Sequence, residues 1–178
     1  IIGTPTDVIA RNWVKSAANF GIQLSADFNN YDLTRQKPRE LGYDGTVHTY
    51  QQLSREPTLH AALNAKENTL LFLDEGHHLS EENSWGLAAE TYSETCIQTV
   101  ILSATPFRRG ADPMSMITYD VNGRAVPNYH YTKAQALDDG VIRRLEFHLP
   151  NGRMEWRDSD GIKEASFDDE VSDIDKSR

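Results

Sequence analysis

At 178 residues and 20.1 kDa the chain has the length of one globular domain and falls short of two. Hydrophobic residues at 38%, charged residues at 25% and a mean hydropathy of −0.59 describe a soluble, somewhat polar protein, with no apolar run near the ~18 residues of a membrane span. Eighteen Lys and Arg against 27 Asp and Glu give a net charge of −9, which excludes nucleic-acid binding by global charge alone.

Local contact stays open, because screening at physiological salt acts over about 8 Å and a few clustered arginines can face a phosphate. Nine of the acids lie from Glu155 onward, so much of the acidity sits in a C-terminal tail. The single cysteine, Cys96, cannot form an internal disulfide, and no basic, apolar leader is present. The expected location is therefore intracellular, in the cytoplasm, with no membrane partner. The chain opens at Ile1 in what reads as a strand, so it is expected to be a piece of a longer protein.

In chain order, Ile1 to Thr4 reads as a short β-branched strand closed by Pro5. Thr6 or Asp7 can cap a helix with apolar positions Val8, Ile9, Trp13, Ala17 and Phe20, stopped by Gly21. Trp13 at this spacing reads as a core residue. The polar stretch Ser25 to Asp44 predicts a long loop. Thr46 to Tyr50 alternates as a strand does, and Pro57 to Lys66 predicts a short helix with proline in its first turn. Leu70-Leu71-Phe72-Leu73 has the apolar continuity of a strand buried on both faces, and Thr99 to Leu102 predicts a second one. Between them Ser80, with Glu81 and Glu82, is placed to start a helix. Met116 to Val121 and Leu145 to Leu149 predict further strands, and Thr132 with Gln135 a capping box for a helix ending at Gly140. Helices and strands alternate, so the expected class is α/β with a mainly parallel sheet.

The chemistry concentrates where the Leu70–Leu73 strand runs into Asp74-Glu75-Gly76-His77-His78. Ligands of open α/β sheets bind at the carboxyl ends of strands, and two adjacent acids there repel unless they are solvated or bind a cation. Mg²⁺, which takes few carboxylates together with waters and phosphate oxygens, resolves that conflict. Asp74 would hold the ion and Glu75 would orient and deprotonate an attacking water. Some 28 residues on, the second strand ends in Ser103-Ala104-Thr105-Pro106-Phe107-Arg108-Arg109, a hydroxyl pair followed by two arginines. Either segment alone is weak; in this order and spacing they support each other.

Together they resemble the superfamily-two helicases and translocases of the DExH type, in particular those of restriction enzymes and phages. Leu71 to His78 is similar to motif II and Leu102 to Arg108 to motif III. Thr4-Pro5-Thr6, with the helix through Arg11, Asn12 and Trp13, is similar to motif Ia, which touches the nucleic-acid backbone; Val47-His48-Thr49-Tyr50-Gln51 is similar to the segment that follows. The resemblance covers residues 1 to 150 and implies a RecA-like lobe of the P-loop NTPase type. On that pattern Asp74 serves Mg²⁺, and Glu75 serves the water attacking the ATP γ-phosphate. His77 links the nucleotide to motif III, while Ser103 and Thr105 couple hydrolysis to movement. Thr4, Pro5, Thr6, Arg11, Thr49, Tyr50, Gln51 and Arg108 meet nucleic acid, with DNA favoured over RNA.

The departure is equally specific. No Gly-x-x-x-x-Gly-Lys-Ser/Thr loop occurs in the 178 residues, although that loop cradles the phosphates. The resemblance places it before Ile1, and places a second RecA-like lobe beyond an acidic linker at residues 151–178. The lobe is thus expected to be incomplete at its N-terminus, and the piece alone to hydrolyse ATP negligibly. The alternative from the same departure is a catalytically silent nucleic-acid-binding or regulatory module derived from a helicase lobe.

Overall fold

The computed structural model describes residues 1–79, 84–106, 114, 116–144, 153–158 and 161–166. The chain forms two compact units, 1–128 and 129–178, parting earlier than the expected boundary at 150.

In the first unit five strands form a parallel sheet: β1 (Ile2–Thr4), β2 (Leu24–Ser25), β3 (Gly45–Thr49), β4 (Leu70–Leu73) and β5 (Gln98–Ile101), in the order β2-β3-β1-β4-β5. The helices are α1 (Asp7–Ala18), α2 (Asn30–Arg35), α3 (Tyr50–Arg55), α4 (Pro57–Asn64) and α5 (Ser84–Ser93). This is the mainly parallel α/β architecture that the alternation implies, and it agrees with the RecA-like lobe that the resemblance implies. Strand periodicity divides the core. Leu71 and Leu73 face a cluster with Tyr50, Leu53, Leu79, Ala89 and Tyr92 from the α3–α5 side. Ile2, Val47 and Phe72 face α1 through Ala10, Trp13 and Val14.

Several elements depart from the sequence reading for identifiable reasons. Helix α1 is capped by Thr6, as expected, yet Val8 and Phe20 are 69% and 82% exposed. Its inward stripe is Ala10, Trp13, Val14 and Ala17, the i, i+3, i+4, i+7 set, because small alanines let the helix approach the sheet. The expected loop 25–44 instead holds β2, α2 and a 3₁₀ turn at Pro38–Leu41. Asn29 and Asp32 form the capping box of α2, and Gln52 holds the segment by donating from Nε2 to the Phe28 carbonyl at 2.7 Å. Strand β5 is not buried on both faces: it lies at an edge of the five-stranded sheet and none of its residues is buried. Met116–Val121 contributes only a bridge between Tyr119 and Ala125, because Asp120 Oδ1 accepts from the amides of Asn122 and Arg124 and turns the chain. Ser80 and Leu145–Leu149 lie outside the described residues.

In the second unit α6 (Lys133–Asp138) carries the expected capping box of Thr132 and Gln135, and Gly140 ends it at φ 69°. Where a linker was expected, β6 (Arg153–Asp158) and β7 (Gly161–Ser166) pair antiparallel. Among the described residues no helix is long and apolar enough to cross a membrane.

A buried polar pair ties β3 to α4. His48 and His60 are 1% and 0% exposed, their ring centroids 5.3 Å apart. His60 Nε2 reaches Asn30 Oδ1 at 3.1 Å and His48 Nε2 reaches Thr46 Oγ1 at 2.8 Å. Burial, reinforced by the neighbouring His60, pushes His48 down to about 3, and burial pushes His60 down to about 4. Both are neutral in the folded chain, whereas unfolded histidines take up protons below about 6.5. Their contribution to stability is thus complete above pH 6.5 and is lost as pH falls toward 4 and then 3. In a ¹H–¹³C titration of the imidazoles, both rings are expected to remain neutral at pH 5; a midpoint near 6.5 for either would contradict this packing.

Candidate functional site

The parallel register sets the site. Gly3 lies beside Leu73 and His48, and Leu73 beside Ile101, so β1, β3, β4 and β5 deliver their carboxyl ends to one edge. Asp74 follows β4 directly. Its amide donates to the Gly3 carbonyl at 2.9 Å, and the Leu102 amide donates to the Leu73 carbonyl at 2.9 Å. The two acids and the Ser103 segment therefore share one end of the sheet, as motif spacing implies.

Asp74 is half-buried and held on three sides. Oδ1 accepts from the Glu75 amide at 2.9 Å, and Oδ2 accepts from the Trp13 indole Nε1 at 2.7 Å. The Tyr50 hydroxyl donates to the Asp74 carbonyl at 2.6 Å. Burial raises the Tyr50 phenol well above its ordinary value, which keeps it a donor. Tyr50 reaches this point because Gly3 leaves room: a Cβ there would lie 2.9 Å from Tyr50 Cε1.

Glu75 sits in the left-handed region at φ 52° and ψ 47°, a conformation costing a non-glycine residue about 1–3 kcal/mol and concentrated at functional sites. Its Oε2 lies 3.2 Å from His77 Nδ1, which is also 3.3 Å from Ser103 Oγ. Ser103 gives its own proton to the Thr105 carbonyl at 2.9 Å and accepts from the Thr105 amide at 3.2 Å. Two acceptors thus face Nδ1, which makes that nitrogen a donor. His77, Ser103 and Thr105 are one connected group. His77 stacks on His78 at 4.5 Å, and Trp85 lies between His78 and Tyr50 at 6.4 and 5.9 Å.

The donor set suits Mg²⁺: a carboxylate with a lone pair left on each oxygen, and no Lys or Arg paired with it among the described residues. Among the described residues no group of three or more His, Cys, Asp or Glu could hold a metal. An ion at Asp74 would complete its shell with water and phosphate oxygens.

The expected nucleic-acid contacts divide by exposure. Thr6, Arg11 and Gln51 are exposed, and Pro5 and Thr49 are half-buried. Thr6 and Thr49 cap α1 and α3, accepting from the Ile9 and Gln52 amides at 3.4 and 3.3 Å. Arg11 is paired with Asp7 at 2.9 Å and with Asp27 at 3.6 Å, and the bond to Asp7 raises its pKa further. Thr4 and Tyr50 are corrections: they are 0% and 1% exposed, so their side chains cannot touch a strand directly. Thr4 Oγ1 donates within the sheet instead, to the Thr6 and His48 carbonyls. Arg108 lies outside the described residues. Trp13, expected as a core residue, packs on Phe72 and also builds the site by its hydrogen bond, and Trp85 joins the site by ring contact with Tyr50.

The family model of the type III restriction enzyme res subunit matches residues 4–108. The chain belongs to this family. The family is one of helicase-like ATPases, whose members generally use ATP and Mg²⁺ and act on nucleic acid. Among similar proteins are an uncharacterized protein of Mycobacterium leprae, 32% identical over 166 residues, and one of Mycobacterium tuberculosis strain H37Rv, 33% identical over 161. The matches take in 91% and 88% of this chain but 27% and 26% of those proteins. The chain spans about a quarter of the length of the curated relatives it matches.

Gly76 closes the site against β5, its amide donating to the Leu102 carbonyl at 2.9 Å. A Cβ there would fall 2.4 Å from Ile101 Cγ2 and 3.0 Å from Met114 Cε. Gly76→Ala is expected to cost about 1–3 kcal/mol through overpacking, and to cost less in an Ile101→Ala background, which lacks the opposing Cγ2. Urea unfolding of the three variants against the parent measures both effects.

Proposed function

We propose that the protein containing this chain is an ATP-driven helicase or translocase acting on nucleic acid, DNA in preference to RNA, and that residues 1–150 supply the hydrolytic edge of its first RecA-like lobe. A phosphate-cradling loop before residue 1, and a second lobe after the acidic segment 151–178, complete the motor in this reading. The observation that carries it is the pair of acids at the tip of β4, one fixed by Trp13 and Glu75 and the other joined through His77 to Ser103.

Asp74 would hold Mg²⁺, which when bound neutralises charge on the triphosphate. Glu75, partly exposed at that edge, orients the attacking water and takes its proton. His77 donates from Nδ1 toward both Glu75 and Ser103, so a change in the glutamate's position or charge is felt by the Ser103–Thr105 turn. That turn leads into Pro106 and toward Arg108, and carries the response to the strand-contacting side. Thr6, Arg11, Gln51 and Arg108 meet the backbone of the strand.

Replacing Glu75 with Gln keeps the shape and removes the base. Its nucleic-acid-stimulated ATP turnover in the full-length protein is expected to fall roughly 10²- to 10⁴-fold, with ATP and DNA binding retained. Unchanged turnover would remove this mechanism. DNA binding by the unaltered protein without any hydrolysis would favour the silent module.

A further inference from the structure

The bond between Trp13 and Asp74 joins residues 61 positions apart, and nothing in motif spacing anticipates it. An indole N–H is a donor only, so Trp13 cannot ligate a cation or move a proton. What it can do is orient. It engages Oδ2 while the Glu75 amide engages Oδ1, so both oxygens of the carboxylate are placed by N–H donors, one local and one from another element. The indole is itself fixed: its ring packs on Phe72 at a centroid distance of 6.4 Å, and Ala10 and Ala17 bury the same face of α1. Helix α1 begins at the Thr6 cap, immediately after the Thr4-Pro5 segment, and carries the exposed Arg11 two residues before Trp13.

We infer that Trp13 is a positioning residue: its indole N–H sets the orientation in which Asp74 meets a divalent cation, and it mechanically ties that acid to the helix whose start faces the strand. The inference deepens the motor reading and rests on it. Partners that orient metal-binding side chains through hydrogen bonds typically govern affinity or activity by about 10- to 100-fold. The half-buried setting of Trp13 places its effect at or below the lower end of that range.

Trp13→Phe keeps the ring on Phe72 and deletes the donor. In the full-length protein with saturating DNA, the Mg²⁺ concentration for half-maximal ATP hydrolysis is expected to rise roughly three- to tenfold, while the KM for ATP at saturating Mg²⁺ changes less than about twofold. A purely structural role would leave the Mg²⁺ midpoint where it was, and that result overturns the inference. A second readout does not need turnover. With ¹⁵N-labelled tryptophan, the indole resonance missing from the Trp13→Phe spectrum must move in Asp74→Asn and again when Mg²⁺ and ADP are added to the unaltered protein. If it moves in neither case the bond does not orient the acid, and the inference fails whatever the turnover. Absence of ATP hydrolysis by the unaltered protein would instead count against the motor reading, with the indole resonance still deciding whether Trp13 holds Asp74.

Discussion

The site depends on how closely the first strand approaches the fourth. The Asp74 amide bonds to the Gly3 carbonyl, and the absence of a side chain on Gly3 lets Tyr50 lie against that strand and reach the Asp74 carbonyl. Two small residues on α1, Ala10 and Ala17, bring that helix onto the opposite face near enough for an indole to meet the carboxylate. Gly76 does for β5 what Gly3 does for β1, placing the amide after Glu75 against the Leu102 carbonyl. Small side chains at the contact points therefore set the positions of the larger, functional ones. A packed interior has little room to absorb an added methyl group, so these distances are set by volume more than by any polar bond.

Charge works on a different scale from packing. The chain is acidic overall at −9, and its two site acids are adjacent. Neither is neutralised by a Lys or Arg among the described residues; Asp74 is held by N–H donors and Glu75 by an imidazole. Donors of this kind fix a carboxylate without cancelling its charge, which leaves it able to attract a cation. On α1 the same economy appears in reverse: Arg11, one of its exposed cations, is shared between Asp7 and Asp27. Contact with a phosphate there must compete with two carboxylates, so salt and the local acids tune it together.

The parts of this fold that were legible in the sequence are those governed by local rules. The cap at Thr6, the capping box at Thr132 and Gln135, the strand at Leu70–Leu73 and the punctuation at Gly21 and Gly140 follow from neighbours within four residues. The shared edge of Asp74 and Ser103 was legible because strand, acids, strand, hydroxyls is a pattern in chain order. What was hidden depends on contacts across the chain. The segment 25–44 looks like a polar loop because its order comes from Gln52 and His60, which hold Phe28 and Asn30 from other elements. The inward face of α1 was misjudged because hydrophobicity favoured Val8 and Phe20, whereas close approach selects alanine. Tyr50 was placed at the nucleic acid by its segment, yet its ring is core and its hydroxyl is bonded to the Asp74 carbonyl. No local signal pairs Trp13 with Asp74.

The Nδ1 of His77 has two acceptors to serve at this edge. One N–H faces both the Glu75 carboxylate and the Ser103 oxygen, at nearly equal distances of 3.2 and 3.3 Å, and cannot satisfy both fully. The carboxylate is the stronger acceptor while it is charged, since charge-assisted hydrogen bonds are roughly twice as strong as neutral ones. In the proposed mechanism a loss of that charge would shift the shared N–H toward Ser103. Ser103 is in turn bonded in both directions to the Thr105 backbone, which leads into Pro106. In the proposed motor, this chain of contacts is the route by which the glutamate's charge would reach the turn at the end of the neighbouring strand.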